Sequence, residues 1–233
     1  MKKLRIICWF GAFFVTLQTI MYKMRFAYSL LLLLCTVILS AQKTVSRLNA
    51  GTAFHGYVLC NGKRVDAVCY VRDTTNKTIG IGANGYKVIA IDTTLAGKIV
   101  VPPKIMAPDG LKYTVTSVSR HAFADCRRIT EVMLPDSIHD IGDQSFMNCR
   151  SLRSIVLPPG TRYLWPYAFR GCSNLRRVEV RATVPPDSYN DVFDDHTLRF
   201  ATLVIPASSA KAYKYAFVWN MFRYCIPNWD LRF

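Results

Sequence analysis

The residues best suited to catalysis are a histidine and a cysteine five positions apart, His121 and Cys126. A thiol becomes a strong nucleophile when a neighbouring base or positive charge converts it to a thiolate. Two related segments of the chain keep the cysteine, but Gln144 and Tyr167 stand where the histidine would be. We therefore interpret Cys126 as a buried structural residue and expect no catalytic residues.

Asp194-Asp195-His196 is the second candidate, because carboxylates and imidazole bind metal ions. These residues are contiguous, and no spaced partner completes a ligand set. The glycine-rich run 80–85 lacks the Lys-Ser/Thr of a phosphate-binding loop. The sequence thus predicts no catalytic, cofactor or metal site. A secreted hydrolase or metal-binding protein that uses such His, Cys and Asp residues is the alternative.

Three segments of the chain resemble one another and begin 23 residues apart: VSRHAFADCRRITEVMLP at 118–135, IGDQSFMNCRSLRSIVLP at 141–158 and LWPYAFRGCSNLRRVEVR at 164–181. Their phenylalanines, cysteines and leucine-type positions share one register. A period of this length with a leucine-rich core predicts stacked repeats that bury a continuous core between neighbours. Equivalent cysteines in stacked repeats have parallel side chains, so we expect a buried column and not disulfides.

The expected fold is a β-rich α/β solenoid, a short right-handed leucine-rich repeat with a parallel sheet on its concave face. Residues 85–206 would form the solenoid, with the clear 23-residue repeats at 118–181. Residues 42–84 would form a small N-terminal β region, and residues 207–233 a C-terminal cap.

Strand alternation predicts two columns of side chains on the exposed face of that sheet. The first contains Lys98, Glu131, Ser154, Arg177 and Thr202, and the second contains Val100, Met133, Val156, Glu179 and Val204. The partner-binding residues that we predict from them are Val100, Glu131, Met133, Ser154, Val156, Arg177 and Glu179. The alternative is that the apolar members simply favour a strand.

The flanks of the repeats suggest further elements. Asn61-Gly62 predicts a hairpin turn between two strand-like stretches, and a disulfide between Cys60 and Cys69 would suit an exported protein. At the other end, residues 208–222 place Ala212, Tyr215, Ala216 and Trp219 at helical spacing. We expect a helix there that covers the last repeat.

Residues 1–41 have the pattern of an export signal: Lys23 and Arg25 precede the 14-residue apolar run 26–39, and Ser40-Ala41 follows. The true start would then be Met21 or Met24, whereas an upstream apolar stretch, 4–20, is consistent with a membrane anchor. Without the leader, the net charge changes from +15 to +10, since five bases leave 25 against 15 acids. A surface with this positive charge either attracts anionic partners or simply keeps the protein soluble.

The pattern I-G-x-x-x-F-x-x-C-x-x-L-x-x-I-x-L-P at 141–158 resembles the BspA-type leucine-rich repeat. The resemblance extends over about residues 85–233 and includes A-T-x-P-P…F…T-L-x-I-P-A-x-S-x-x-A-Y-K…W…F at 182–222. It implies a secreted or surface-exposed bacterial protein that adheres to host matrix proteins or other cells, with no catalytic residues.

We therefore expect a non-enzymatic protein that binds a protein or anionic glycan through its concave face; a purely structural surface protein is the alternative. Six arginines near the starts of the predicted strands would form a basic edge for such a partner: Arg127, Arg128, Arg150, Arg153, Arg176 and Arg177. We expect no cofactor and no nucleic-acid partner, and membrane contact only through an uncleaved leader or another anchor.

Overall fold

A computed structural model describes residues 48–83, 89–189 and 191–228 of the chain. The leader 1–41 and its alternative start sites lie outside the described residues. The described residues belong to one compact unit. They form a mostly parallel sheet with two short helices.

The strands, in chain order, are β1 (Ala53–Cys60), β2 (Lys63–Asp73), β3 (Thr78–Ile81), β4 (Ala96–Val100), β5 (Lys104–Met106), β6 (Lys112–Val118), β7 (Arg128–Met133), β8 (Asp140–Ile141), β9 (Ser154–Leu157), β10 (Tyr163–Leu164), β11 (Arg177–Val180), β12 (Asp187–Ser188), β13 (Thr202–Pro206) and β14 (Tyr224–Asn228). The α-helices are α1 (Asp195–Phe200) and α2 (Ala210–Tyr215), and short 3-10 turns cover Ala207–Ser209 and Trp219–Met221.

The repeats contribute strands to two parallel ladders. We call the first ladder A; its strands are β4, β7, β9, β11, β13 and β14, each hydrogen-bonded to the next. Ladder B contains β3, β6, β8, β10 and β12. Each repeat thus supplies one strand to each ladder, and the ladder B strands from β8 onward have only two residues.

The N-terminal strands join the two ladders into one continuous sheet. β1 and β2 form an antiparallel hairpin; β1 also pairs with β4 of ladder A, and β2 with β3 of ladder B. The hairpin turn is the predicted one: Asn61 and Gly62 both have positive φ, 49° and 80°, as a two-residue type I′ turn requires.

The expected Cys60–Cys69 disulfide is wrong, and both cysteines are free. The tight turn places Cys60 opposite Lys63, whereas Cys69 lies opposite Phe54. Six residues of strand therefore separate Cys69 from the position that faces Cys60, a distance of about 20 Å along the sheet. No change of rotamer bridges that distance.

A column of phenylalanines runs through the core beside the column of cysteines. Phe123, Phe146, Phe169 and Phe193 stack with ring centroids 5.1, 5.3 and 5.4 Å apart. The cysteines of the three repeats are fully buried, as predicted. Each of the two later thiols donates to the carbonyl of the preceding repeat's phenylalanine: the Sγ–O distances are 3.1 Å from Cys149 to Phe123 and 3.2 Å from Cys172 to Phe146.

The turns that hold these columns use the left-handed backbone region twice in each repeat. His121, Gln144 and Tyr167 occupy the first position with φ of 54° to 57°. Asp125, Asn148 and Gly171 occupy the second, with φ of 59°, 60° and 76°. Asp, Asn and Gly tolerate this conformation best, which explains the residue types at the second position.

The prediction for the C-terminal end was wrong in part. The helix α2 ends at Tyr215, and Val218 has a positive φ of 68°, so one helix does not extend over 208–222. Of the predicted residues, Trp219 is buried, but Ala212 and Tyr215 are exposed, and Tyr213 is buried in their place. The last described element is β14, an exposed strand that pairs in parallel with β13.

Candidate binding surfaces

Ladder A aligns the first predicted column in the expected register. Lys98 pairs with Glu131, Glu131 with Ser154, Ser154 with Arg177 and Arg177 with Thr202. Lys98 and Glu131 also form an ion pair across the two strands, with 3.1 Å between Nζ and Oε1, and both side chains remain about half exposed. For Glu131, Ser154 and Arg177, the 23-residue period thus predicted true spatial neighbours.

The second column divides into an exposed part and a buried part. Met133 has 45% of its surface exposed, and Val100 and Val156 are half-buried. We call these three residues the apolar stripe. Val204 is buried, contrary to the expectation of an exposed column. Glu179 is likewise only 9% exposed.

Glu179 is buried because two arginines enclose its carboxylate. Arg177 donates to one oxygen at 3.1 Å and Arg181 to the other at 3.0 Å. A carboxylate whose two oxygens are both engaged has less capacity to bind a partner. We therefore withdraw Glu179 from the set of exposed contact residues and retain Arg177, which is exposed.

The basic edge is present as a surface feature. All six of its arginines are exposed: Arg127, Arg128, Arg150, Arg153, Arg176 and Arg177. Successive repeats lie next to each other here, since the Arg176 backbone N–H donates to the Arg153 carbonyl at 2.9 Å. Four of the six form no ion pair with any residue that the structure describes: Arg128, Arg150, Arg153 and Arg176. Their charge is available to an anion.

The geometry around Cys126 opposes a nucleophilic role. The thiol is fully buried, and burial, with a smaller contribution from the charges of Asp125 and Asp92, raises its pKa from 9.0 to about 12. A thiol with so high a pKa is almost entirely protonated at neutral pH. This supports the interpretation of Cys126 as a core residue.

The acidic run before α1 has a structural role. Asp194 caps the helix by accepting from the backbone N–H of Thr197 at 2.8 Å, and it also accepts from Gly171 N–H at 3.1 Å. His196 packs against Phe200, with 4.8 Å between ring centroids. Within the described ranges, no group of three or more His, Cys, Asp or Glu side chains is arranged to hold a metal ion.

A groove of about 930 Å³ on ladder B was not predicted from the sequence. Tyr163, Trp165 and Tyr189 are exposed aromatic residues of its lining, and Arg72 and Asp140 are charged ones. The aromatic residues do share a position, since each directly follows a short strand: Leu164 pairs with Ser188, which aligns Trp165 with Tyr189. These strands have only two residues each, too few for an alternating pattern to be recognised in the sequence.

Among the described residues, no helix is both long enough and apolar enough to span a bilayer. A comparison with curated proteins found no match.

Solved structures of three bacterial proteins are similar to the chain. A leucine-rich repeat protein from Bacteroides capillosus is 22% identical, with a TM-score of 0.47, over 60% of this chain and 93% of that one. A leucine-rich cell surface protein from Faecalibacterium prausnitzii is 19% identical, with a TM-score of 0.41, over 61% of this chain and 35% of that one. A leucine-rich repeat protein from Bacteroides ovatus is 19% identical, with a TM-score of 0.41, over 66% of this chain and 38% of that one.

The family model described as "BspA type Leucine rich repeat region" matches residues 110–223 in six copies. These residues include the stacked phenylalanines, the buried cysteines and most of both ladders. The repeat region of this chain therefore belongs to the BspA-type leucine-rich repeat family.

Proposed function

We propose that this protein is a non-enzymatic leucine-rich repeat protein, secreted or held at a bacterial cell surface, that binds a protein or an anionic glycan. The binding surface is the exposed face of ladder A, which we take to be the concave face of the repeat solenoid. The leader 1–41 supports export, and an exported protein has little opportunity to meet nucleic acid.

The observation that carries the proposal is the basic edge. Arg128, Arg150 and Arg153 are exposed and have no acidic partner within the described part of the chain. Guanidinium groups bind sulfate, phosphate and carboxylate groups through paired hydrogen bonds. Arginines repeated along stacked strands match the repeated negative charge of a sulfated glycan or an acidic protein segment.

The apolar stripe adds a second kind of contact beside that edge. Met133 lies on β7, the same strand that begins at Arg128, and the Lys98–Glu131 ion pair lies between the stripe and the edge. An exposed apolar residue bordered by charge is the usual composition of a protein-binding patch. The stripe therefore favours a protein partner over a glycan alone.

The proposal can be tested with the full chain on a heparin column and on an array of sulfated glycans, acidic proteins and matrix proteins. Binding that weakens steeply as salt rises supports it, because such contacts release counter-ions. Failure to retain any ligand would favour the purely structural alternative. A hydrolase assay on the same sample tests the enzymatic alternative.

A further inference from the structure

The groove on ladder B lies between side chains that the sheet places in register. Ser117 pairs with Asp140, Asp140 with Tyr163 and Tyr163 with Asp187, so four successive strands line it. The groove volume of about 930 Å³ lies within the range of about 300–1,000 Å³ that small-molecule sites occupy.

Three exposed aromatic rings form one side of the groove. Trp165 and Tyr189 stack with ring centroids 6.0 Å apart and planes 24° from parallel, and they remain 43% and 51% exposed. Tyr163 is also exposed. Gly142, the residue equivalent to Trp165 in the preceding repeat, also lines the groove, although a Cβ there would lie only 2.7 Å from the backbone of Ser119 and Arg120. The three rings therefore border the open volume of the groove.

Fixed hydrogen-bonding groups face the same space. Arg72 forms an ion pair with Asp140, and Arg120 forms one with Asp143 at 2.9 Å. Each pair lines the groove and presents both guanidinium donors and carboxylate acceptors in a set geometry. Hydroxyl groups, which donate and accept together, satisfy such pairs without adding charge.

The charge of the lining favours a neutral ligand over a strongly anionic one. Three aspartates, at 140, 143 and 187, outnumber two arginines, at 72 and 120, although the whole chain carries a net charge of +15. The groove is thus close to neutral on a basic protein, unlike the basic edge on ladder A.

We propose that this groove binds a neutral oligosaccharide. The flat faces of sugar rings carry C–H groups that pack against an aromatic face, whose electron density is negative. The hydroxyls around the ring edge then meet Asp140, Asp143 and their arginines. Exposed rings, paired charges and a near-neutral lining are the combination that such a ligand needs. This site is separate from the surface of the proposed function.

The test uses the full chain and neutral hexasaccharides of glucose, mannose, galactose and xylose, followed by calorimetry and tryptophan emission. At least one should bind, shift the emission and keep its affinity between about 0.1 M and 1 M NaCl, since no net charge is neutralised. Trp165→Ala should weaken binding about tenfold or more. Trp165→Phe should bind within a few-fold of wild type, because a flat ring remains, but should lose the emission change.

Tyr215→Ala is the matched control, since Tyr215 is an exposed tyrosine outside the groove. It should bind as wild type does. Tyr189→Ala provides a second groove variant if Trp165→Ala fails to fold, and it should also lose affinity. The proposal is overturned if none of the four oligosaccharides binds, or if folded Trp165→Ala and Tyr189→Ala both bind as wild type does. If the protein fails to bind heparin but still binds one of these oligosaccharides, the proposed function is wrong and the groove proposal stands.

Discussion

The rings of Phe146 and Phe169 lie parallel within 1°, with their centroids 5.3 Å apart, in adjacent turns of the repeat. Phe146 stacks in the same way on Phe123 at 5.1 Å. Each inner ring therefore packs on both of its faces. Because the rings are fully buried, the column couples the stability of one repeat to that of the next.

Phe146→Ala should lower the free energy of unfolding by about 3–5 kcal/mol, because it removes a buried ring and leaves a cavity between two others. Urea denaturation followed by circular dichroism measures this. Phe200→Ala is the control: its side chain is 56% exposed, so the change should be within about 0.5 kcal/mol. Equal effects of the two substitutions would show that the column is not a principal source of stability.

Gly171→Ala should destabilise the protein for two reasons. Its φ of +76° is strained for alanine, and the added Cβ would clash with Oδ1 of Asn148. Gly110 has nearly the same φ, +77°, but nothing within 4 Å of the added Cβ. Gly110→Ala should therefore cost only the backbone strain, about 1 kcal/mol.

Urea midpoints of the two variants separate these contributions. We expect Gly171→Ala to be the less stable by about 0.5–1 kcal/mol, because the Asn148 side chain must move and its hydrogen bond to Asp125 is disturbed. Variants of equal stability would contradict the tight contact between the second turn positions of adjacent repeats.

Stability should fall as the pH rises above 9. Burial raises the pKa of Cys126 and of Cys172 from 9.0 to about 12, and it raises the pKa of Cys149 well above 9.0. In the unfolded chain these thiols lose their protons near pH 9, but in the folded protein they keep them. The stabilisation is therefore complete below pH 9 and is lost between pH 9 and about 12.

The Cys149→Ala variant isolates this effect from the titration of tyrosine and lysine. Its unfolding free energy should decline less steeply than that of the wild type, by up to about 1.4 kcal/mol per pH unit in this interval. Denaturation at pH 8, 9, 10 and 11, about one unit apart, gives both slopes. Parallel slopes would be inconsistent with a neutral, buried thiol at position 149.

The apolar stripe should contribute to binding of whichever protein the array identifies. Met133→Asp places a charge on an exposed position and should weaken that binding at least about tenfold without unfolding the protein. Met106→Asp is the matched control, because Met106 is 52% exposed but lies on β5, outside ladder A. A folded Met133→Asp protein with unchanged affinity would remove the stripe from the binding surface.

The ladder A register was predictable because the repeat is regular. Equal spacing of the Phe, Cys and Leu positions requires equal backbone paths, so Glu131, Ser154 and Arg177 had to lie beside one another. Lys98 lies outside the clear repeats, and its place was predictable only from the strand-then-proline pattern that β4 shares with them. The burial of Glu179 was not predictable from alternation alone. It depends on Arg181, which lies beyond the end of β11 and folds back onto the carboxylate.

Other features depended on interactions that leave little trace in the sequence. β14 contains Pro227, which normally argues against a strand, but an edge strand tolerates a missing donor. The disulfide was predicted because Cys60 and Cys69 are close in the sequence. The register of the hairpin decides whether they face each other, and it places them apart. The groove was missed because β8, β10 and β12 have two residues each, too few to show a period.

Heparin elution of arginine variants shows whether ladder A binds anions through its basic edge. Arg150→Ala/Arg153→Ala removes two edge arginines that form no ion pair with described residues. Arg170→Ala/Arg199→Ala removes two exposed arginines elsewhere and leaves the same net charge. We predict that the edge variant elutes at clearly lower salt than the control variant, which should elute close to the wild type. Elution of the two variants at the same salt concentration would show that the basic edge is not the binding surface.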